Sequence, residues 1–207
     1  MLSGLRDAFP NALLLVVDDD SPDGTAERVK QFRQSDAQVE LIVRKGKRGF
    51  GSAIVDAMKF AVERGYPYFL NLDADRSHAP EQLPRLLEKA KSGEEIDVVI
   101  GSRYVPGGKI VGWPLHRRLM SKMVNRFATA FLKLPVRDCS GSMRCYRTAA
   151  LEAIGLDSLQ CTGYAVLEEL LVKIHRNGGR MAEVPITFTE REQGHSKLTL
   201  TESVRSV

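Results

Sequence analysis

The chain has 207 residues, of which 43% are hydrophobic and 27% are charged, and its formal net charge is +4. This length allows one domain with its own core, and we expect a single domain over residues 1–207. The mild positive charge and the aromatic content of 7% argue against a nucleic-acid partner, which would require a denser basic patch with interleaved aromatic residues.

Strand-like and helix-like segments alternate along the first half of the chain. Apolar residues at helical spacing predict helices, the first capped by Thr25, at residues 26–35, 52–64 and 81–92. The continuous apolar run at residues 12–17 predicts a strand buried on both faces, and shorter, mostly apolar runs predict strands at residues 39–43, 68–72 and 97–100. This alternation predicts an α/β fold in which helices flank a mostly parallel sheet and ligands bind at the carboxyl ends of the strands.

The second half of the chain has a different pattern. Residues 115–134 carry apolar side chains at helical spacing and basic residues on the opposite face, which predicts an amphipathic helix. Residues 136–147 are predicted to be irregular, and a helix at 165–176 and a strand at 183–188 follow. A basic amphipathic helix either packs on the core with its basic face in water or lies in a membrane interface.

Signals for location are few. The three cysteines lack C-x-x-C spacing, which argues against a zinc site and indicates free thiols in a reducing compartment. No apolar run approaches the roughly 18 residues of a membrane span, and the N-terminus has no signal-peptide pattern. We therefore expect a cytoplasmic protein, or one that is peripheral on the cytoplasmic face of a membrane.

Two aspartates, Asp73 and Asp75, follow the predicted strand at residues 68–72. Because residues i and i+2 of a strand point to the same face, both carboxylates would converge on one point, where like charges require a cation between them. A hard divalent ion suits such oxygen ligands, and Mg²⁺ completes its coordination with phosphates. The pattern therefore indicates a metal that carries a diphosphate; the alternative is a solvated turn.

Asp18 and Asp19 end the first predicted strand. In nucleotide-binding α/β sheets, an acid at this position accepts hydrogen bonds from a ribose or a base. The segment SPDGT that follows is strong turn chemistry, so a purely local role is an equal alternative. The glycine-rich loop at residues 45–53 favours an anion but lacks the G-K-[ST] ending of a P-loop, so a surface loop is the simpler interpretation.

Several cations lie on segments that would face the same edge of the sheet. Arg103 follows a predicted strand, and Arg144 lies in the irregular segment. Arg191 and Lys197 bracket the sequence EQGHS. A lone arginine on a loop is usually solvated, but several opposite a group of carboxylates indicate a second bound anion or a leaving group that must be neutralised.

Eight segments, taken in order, resemble one enzyme family. They are VVDDDSPDGTA, GKRGFGSA, NLDADRSHAPEQL, VVIGSRYVPGG, GWPLHRRLMSKMVN, RDCSGSMRCYR, GYAVLEELL and EVPITFTEREQGHSKL. Together they are similar to the dolichol-phosphate (polyprenyl-phosphate) mannosyltransferases, which are inverting family-two glycosyltransferases with a GT-A, Rossmann-like fold. The resemblance covers roughly residues 12 to 200. It implies metal-dependent transfer, with Mg²⁺ or Mn²⁺, of mannose from GDP-mannose to a polyprenyl phosphate with inversion.

On the donor side, the resemblance implies that Asp18 and Asp19 contact the nucleoside. Asp73 and Asp75, with the intervening Ala74, would bind the metal that holds the diphosphate, and Ser77 would be a further metal ligand. Arg191 and Lys197 would belong to a mobile lid over the diphosphate. Of these, Asp75, Arg191 and Lys197 would act directly in catalysis by neutralising the leaving diphosphate.

On the acceptor side, the resemblance implies that Arg103 and Arg117 bind the attacking phosphate. Asp138, Ser140 and Arg144 match a segment that lines the site. Because the acceptor carries a lipid tail, the resemblance favours the interfacial role for the basic amphipathic helix at residues 115–134, which would bring the protein to the membrane surface.

Two departures from the family pattern matter. Arg76 stands where the family usually has a hydrophobic residue. The strand ending in P-T-Y-N-E with which the family begins is absent, and residues 1–10 resemble only the end of the helix that follows it. Because that strand lies inside the sheet, we expect a gap with an unpaired apolar edge.

Two alternatives to GDP-mannose transfer stay open. The D-x-D pair does not distinguish donors, so UDP-glucose or UDP-GlcNAc would serve equally well. The absent strand also allows either an incomplete copy of an active enzyme or an inactive nucleotide-sugar-binding remnant.

Overall fold

The structure, a computed structural model, describes residues 1–46, 49–161 and 163–190. Its helices are α1 (Leu2–Ala8), α2 (Thr25–Ser35), α3 (Phe50–Glu63), α4 (Leu83–Ala90), α5 (Leu115–Phe131), α6 (Thr148–Ile154) and α7 (Val166–Arg176). Its strands are β1 (Leu14–Asp18), β2 (Val39–Val43), β3 (Tyr68–Asn71), β4 (Val98–Ser102), β5 (Lys109–Val111), β6 (Arg144–Arg147), β7 (Met181–Pro185) and β8 (Thr187–Thr189).

The strands form three hydrogen-bonded groups. β1 pairs with β2 and β5 pairs with β8, both in parallel, and the central sheet has the order β3–β6–β4–β7. Within the central sheet, β6 is antiparallel to β3 and β4, whereas β4 and β7 are parallel. The predicted α/β class is therefore confirmed, and the central sheet is mixed because β6 runs against its neighbours.

A gap separates the β1–β2 pair from the central sheet. Within the described ranges, β1 is hydrogen-bonded only to β2 and β3 only to β6, so each has one open edge. Helix α3 packs against both β1 and β3 and so bridges the two groups of strands. This arrangement agrees with the gap expected for a sheet without the family's first strand.

Strand β4 lies between two apolar layers. Val98 and Ile100 pack with the fully buried Met58 of α3 and Leu170 of α7. Val99 belongs to the other layer, which contains the inner face of α4. Because side chains alternate along a strand that is buried on both faces, a continuous apolar sequence suits this central position.

Two differences from the predicted elements have clear physical reasons. β6 was expected to be irregular, but it is a short strand. Because Arg144 and Arg147 are its terminal residues, it contains no apolar run that would predict a strand. The predicted strand at residues 183–188 divides at Ile186, whose N–H donates to Ser102 and whose carbonyl accepts from Lys109. On either side of Ile186, the partner of the segment therefore changes: β7 pairs with β4, whereas β8 pairs with β5 in a separate sheet.

Smaller differences concern helix ends. Thr25 is the first helical residue of α2 and not its cap, and Asp23 accepts hydrogen bonds from its N–H (3.0 Å) and hydroxyl (2.7 Å). The predicted helix at residues 81–92 begins with a 3₁₀ turn, Pro80–Gln82, before α4. The sequence analysis did not predict β5 and α6, whereas α1 lies within residues 1–10, which resemble the end of a helix of the family.

The topology brings several chain segments to one edge of the central sheet. β3 and β4 both run against β6, so their carboxyl ends meet the amino end of β6. Accordingly, Arg144 at the start of β6 is paired with Asn71 at the end of β3 and with Ile100 in β4. Residues that follow β3, follow β4 or precede β6 therefore gather here, and we call this place the carboxyl edge.

Gly108→Ala is expected to destabilise the protein. An added Cβ would lie 2.7 Å from backbone atoms of Ser102 and Arg103, so the chain at the carboxyl edge would have to shift. Such overpacking costs about 1–3 kcal/mol of unfolding free energy, which lowers the Tm in differential scanning fluorimetry by several degrees. Gly163→Ala is the control, since no described atom would lie within 4 Å of its Cβ. Equal Tm values for the two variants would contradict this account.

Candidate functional site

A buried ion pair between Arg103 and Asp138 lies at the centre of the carboxyl edge. Arg103 follows β4 and Asp138 precedes β6, and the exposed fractions of their side chains are 8% and 0%. Arg103 Nε donates to Asp138 Oδ2 at 2.8 Å, Nη2 donates to Oδ1 at 2.7 Å, and the backbone N–H of Arg103 adds a bond at 3.0 Å. This bidentate contact fixes the plane of the guanidinium group.

The ion pair keeps both partners charged. Burial alone would raise the pKa of Asp138, but the charge and hydrogen bonds of Arg103 outweigh it and hold the pKa of Asp138 below its ordinary value. Burial likewise acts to lower the pKa of Arg103, and Asp138 more than compensates, so the pKa of Arg103 rises. The carboxylate also accepts the N–H of Gly141 at 3.1 Å. Glu183 of β7 accepts the N–H of Asp138 at 3.0 Å.

Two neighbouring residues of the predicted site have different surroundings. Ser140 is exposed, and its Oγ accepts a hydrogen bond from Arg103 Nη2 at 2.9 Å, so it lies on the surface of the site. Arg144 is completely buried, and its guanidinium group donates to three backbone carbonyl groups and to the hydroxyl of Tyr146. Arg144 thus lies behind the wall of the site and stabilises the loop before β6.

The D-x-D pair lies in a turn. β3 ends at Asn71, so strand alternation does not place Asp73 and Asp75 as the sequence argument assumed. A local turn orients Asp75 instead, since its Oδ1 accepts the N–H of Ser77 at 2.9 Å and the Ser77 hydroxyl at 2.5 Å. Arg76 has a φ of 63°, in the left-handed region that few non-glycine residues adopt. We call residues 73–78 the D-x-D turn.

The predicted metal ligands differ in accessibility. Asp73 and Asp75 are partly exposed, Ala74 is exposed, and Ser77 is buried with its hydroxyl directed to Asp75. Within the described ranges, no group of three or more His, Cys, Asp or Glu side chains is arranged to hold a metal by itself. Two carboxylates that share a metal with phosphate oxygens are a usual arrangement for Mg²⁺.

Phe188 of β8, which the sequence analysis missed, connects the parts of the site. Its ring centroid lies 5.2 Å from that of His78 in the D-x-D turn and 5.3 Å from that of Trp113, which precedes α5. The guanidinium carbon of Arg103 lies 5.6 Å from the same centroid. Trp113 is the only tryptophan in the chain, which makes it conspicuous in the sequence, but no sequence pattern connects it with Phe188.

Arg117, in the first turn of α5, joins the same cluster. Its guanidinium carbon lies 4.1 Å from the centroid of Trp113, and its Nη1 donates to Glu190 at 2.6 Å. Arg117 and Arg103 are therefore connected through two aromatic rings. The predicted lid residues lie outside the described residues; they are Arg191 and Lys197.

Three buried polar atoms have no hydrogen-bond partner in the part of the chain that the structure describes: Asn71 Oδ1, His78 Nε2 and Ser142 Oγ. Asn71 ends β3, His78 ends the D-x-D turn and Ser142 precedes β6, so all three belong to the carboxyl edge. Burial, with a smaller effect of Arg103, lowers the pKa of His78 to about 4, so its imidazole is neutral at pH 7. Because proteins leave few buried polar atoms unpaired, their concentration here indicates a site for a polar ligand.

The two acids after β1 contact the protein itself. Asp18 is buried and accepts the N–H of Ser21 at 3.1 Å, which supports a local role. Asp19 accepts hydrogen bonds from Arg44 Nε at 2.6 Å and from the N–H of Gly49 at 2.8 Å. The sequence analysis did not single out the buried Arg44, although it directly follows the predicted strand at residues 39–43. Asp19 therefore fixes the start of α3, and the nucleoside contact of both acids stays a prediction.

Helix α5 directs its apolar face outward. Its buried residues are both polar, Asn125 and Thr129. Seven apolar side chains are between 53% and 75% exposed: Leu115, Leu119, Met120, Met123, Val124, Phe127 and Phe131. The interpretation of this helix as a core-packing element therefore does not hold for the described structure.

The sequence is similar to a known protein family and to several characterised enzymes. The family model described as "Glycosyl transferase family 2" matches residues 2–155. An undecaprenyl-phosphate mannosyltransferase from Micrococcus luteus is 43% identical over 198 residues, which are 96% of this chain and 80% of the relative. A polyprenol monophosphomannose synthase from Mycolicibacterium smegmatis is 40% identical, over 93% of this chain and 72% of the relative. A dolichol-phosphate mannosyltransferase from Pyrococcus furiosus is 37% identical, over 91% of this chain and 51% of the relative.

Solved structures agree with the fold. Glucosyl-3-phosphoglycerate synthase from Mycobacterium tuberculosis, in complex with phosphoglyceric acid, matches with a TM-score of 0.57 at 19% identity, over 92% of this chain and 63% of that chain. The same enzyme with Mn²⁺, UDP-glucose and phosphoglyceric acid matches with a TM-score of 0.57 at 16% identity, over 99% of this chain and 79% of that chain. At these identities the likeness shows the fold alone.

Asp138→Asn is expected to be strongly destabilising. Removal of the carboxylate charge leaves Arg103 buried and uncompensated, which costs about 3–5 kcal/mol of unfolding free energy. Loss of the exposed Glu27–Lys30 pair in Glu27→Gln should cost about 0–1 kcal/mol. Chemical denaturation monitored by circular dichroism measures both values.

The difference should also depend on pH. Because the folded-state pKa of Asp138 is lowered, its contribution is complete above the ordinary carboxyl pKa of about 4 and is lost as the pH falls below that value. The gap in stability between wild type and Asp138→Asn should therefore shrink below pH 4. A gap that stays constant into more acidic solution would contradict the ion pair.

Proposed function

The chain belongs to glycosyl transferase family 2, and from that premise we propose that it transfers mannose from GDP-mannose to a polyprenyl phosphate, with inversion and with a divalent metal. The chain is thus an enzyme, a glycosyltransferase. The names of three relatives, at 37% to 43% identity, support mannose as the sugar and a polyprenyl phosphate as the acceptor. GDP as the nucleotide, the metal and the membrane contact are the finer parts of the proposal.

The observation that carries the proposal is the cluster around Phe188. It brings together the D-x-D turn, through His78, and two arginines from separate elements, Arg103 and Arg117. A reaction between two anionic groups requires a cation at each end, and these residues supply carboxylates for a metal beside cations for a second phosphate. The D-x-D turn and Arg103 both lie at the carboxyl edge, and α/β folds bind ligands at such an edge, which supports the proposal.

Asp73 and Asp75 would hold Mg²⁺ or Mn²⁺ against the donor diphosphate. Both carboxylates are partly exposed, the turn fixes Asp75, and unpaired polar atoms of Asn71 and His78 lie at the same edge. When bound, the metal would neutralise charge that develops on the leaving diphosphate. The solved synthase with Mn²⁺ and UDP-glucose makes a divalent ion consistent with this fold.

The acceptor requires little acid–base chemistry from the protein. A phosphate monoester has a second pKa of about 6 and is largely a dianion at pH 7, so it is already a nucleophile. The task of the site is to hold this anion near an anionic donor. Nε and Nη2 of Arg103 both donate to Asp138, and Nη2 also donates to Ser140. Within the described residues, Nη1 of Arg103 donates to no acceptor. We expect Nη1 of Arg103, with Arg117, to bind the attacking phosphate.

Helix α5 is expected to lie in the membrane interface. Its exposed apolar face continues through the stacked rings of Phe127 and Phe131, and Arg118, Lys122 and Arg126 are also exposed. Apolar side chains would enter the acyl region while the cations meet anionic headgroups. No helix in the described ranges is long and apolar enough to cross a bilayer. This position would present the acceptor phosphate to Arg117 at the start of the helix.

Transfer assays should identify the donor. We expect label from GDP-mannose to appear in polyprenyl phosphate in the presence of Mg²⁺ or Mn²⁺, and neither UDP-glucose nor UDP-GlcNAc to replace it. Asp75→Asn should lower kcat by about 100-fold or more, because the charge on the leaving group is no longer balanced. The control is Asp157→Asn, which removes an exposed carboxylate that pairs with Lys59.

Two outcomes of this assay would oppose the proposal. Transfer only from a UDP-sugar would assign a different donor. Nucleotide binding without turnover from any donor, unchanged in Asp75→Asn, would favour the non-catalytic remnant.

Vesicle flotation should detect the membrane contact. The double variant Phe127→Glu/Phe131→Glu should lose at least about tenfold in binding to anionic vesicles. Each phenylalanine that enters the acyl region of the membrane should contribute about 2 kcal/mol to the binding free energy. Charge reversal at Arg118, Lys122 and Arg126 should weaken binding to anionic but not to neutral vesicles. Lys30→Glu on α2 is the charge control, and unchanged flotation of both α5 variants would remove the interfacial role.

A further inference from the structure

Asn125 is the polar residue through which α5 contacts the loop before β6. Its side chain is 3% exposed, on a helix whose apolar residues face outward. Its Oδ1 accepts the backbone N–H groups of Cys139 at 3.1 Å and of Ser140 at 3.3 Å. These two donors fix the orientation of the amide, since a backbone N–H only donates.

The same amide contacts the side chain of Ser140. Asn125 Nδ2 and Oδ1 lie 3.1 Å and 3.2 Å from Ser140 Oγ, and Nδ2 also donates to the carbonyl of Ser121 in the preceding turn of α5. Ser140 Oγ in turn accepts from Arg103 Nη2 at 2.9 Å. A continuous set of hydrogen bonds therefore runs from the backbone of α5 through Asn125 and Ser140 to Arg103.

The loop that Asn125 holds is the one that carries Asp138. Asp138 directly precedes Cys139 and Ser140, the two residues whose N–H groups Asn125 accepts. A shift of this loop would move the carboxylate that orients Arg103 and the hydroxyl that contacts it. Small displacements of groups that hold a reacting phosphate are costly for turnover.

We propose that Asn125 is a positioning residue that fixes the loop at residues 138–141 and, through it, holds Arg103 in place relative to α5. The catalytic part of this inference rests on the proposed function, in which Arg103 binds the acceptor phosphate and α5 meets the lipid. In this proposal Asn125 itself contacts no substrate. It holds Arg103, which would bind the phosphate, at a fixed position relative to α5, which would approach the membrane.

Three variants separate this role from a general structural one. Asn125→Leu removes every hydrogen bond of the side chain at similar volume. Asn125→Asp keeps an acceptor for the N–H groups of Cys139 and Ser140 and loses the donor Nδ2. Thr129→Ala is the matched control, because Thr129 is also buried on α5 but its hydroxyl donates only to the carbonyl of Arg126 in its own helix.

Amide hydrogen exchange tests the placement of the loop without any assay of activity. Asn125→Leu should speed exchange of the N–H groups of Cys139 and Ser140, and of Gly141 and Arg103, which donate to Asp138. Asn125→Asp should stay close to wild type at Cys139 and Ser140. Exchange in Asn125→Leu no faster than in Thr129→Ala would overturn the proposal.

Kinetics test the consequence for transfer. Relative to Thr129→Ala, Asn125→Leu should lower kcat by about 10- to 100-fold and raise KM for the polyprenyl phosphate. Asn125→Asp should recover part of the loss. Binding of GDP with Mn²⁺, measured by calorimetry, should be unchanged, because the hydrogen bonds that the structure describes for Asn125 are with Ser121, Cys139 and Ser140. A normal kcat in Asn125→Leu with fast loop exchange would overturn the positioning role.

The two proposals fail in different ways. If the wild-type chain transfers no sugar from any donor while the exchange pattern is as expected, the proposed function is contradicted and the placement of the loop by Asn125 is supported. If the wild type transfers mannose and the Asn125 variants match Thr129→Ala in exchange and in kcat, the proposed function stands and this inference is wrong.

Discussion

The ion pair between Arg103 and Asp138 is the interaction on which the rest of the site depends. A guanidinium group with 8% of its side chain exposed requires a fixed counter-charge, and Asp138 supplies it with two side-chain contacts. That requirement ties the chain after β4 to the loop before β6. The loop is then held by Glu183 of β7 and by the buried Arg144 behind it. Three strands of the central sheet thus fix one cation at the carboxyl edge.

Helix α5 reverses the usual arrangement of an amphipathic helix in a globular protein. It directs Asn125 and Thr129 inward and its large apolar side chains outward, so burial of apolar area does not explain how it is held. Polar contacts near its inner face, such as the 2.7 Å bond between Tyr104 and Ser121, take that role. An apolar surface of this extent is usual where a protein meets another surface, and the lipid acceptor of the proposed function would account for it.

Much of the fold was predictable because β1, β2, β3 and β4 consist mostly of apolar residues. β6 was not predictable, because it is four residues long, begins and ends with an arginine, and is paired with β3 and β4, which lie far away in sequence. The D-x-D pair and Arg103 were readable as candidates from their places after strands. Their partners were not, since Asp138 is 35 residues from Arg103 and Phe188 belongs to a strand of another sheet. Local pattern thus predicts elements and charged candidates, whereas the pairing of charges depends on topology.

The central claim is that the carboxyl edge of the mixed sheet binds a metal and a nucleotide diphosphate beside Arg103. Anomalous diffraction from crystals grown with Mn²⁺ and GDP tests it most directly. The account predicts one manganese peak beside the carboxylates of Asp73 and Asp75, with the diphosphate of GDP next to it. A nucleotide bound elsewhere on the chain, or manganese found only at other carboxylates, would contradict it.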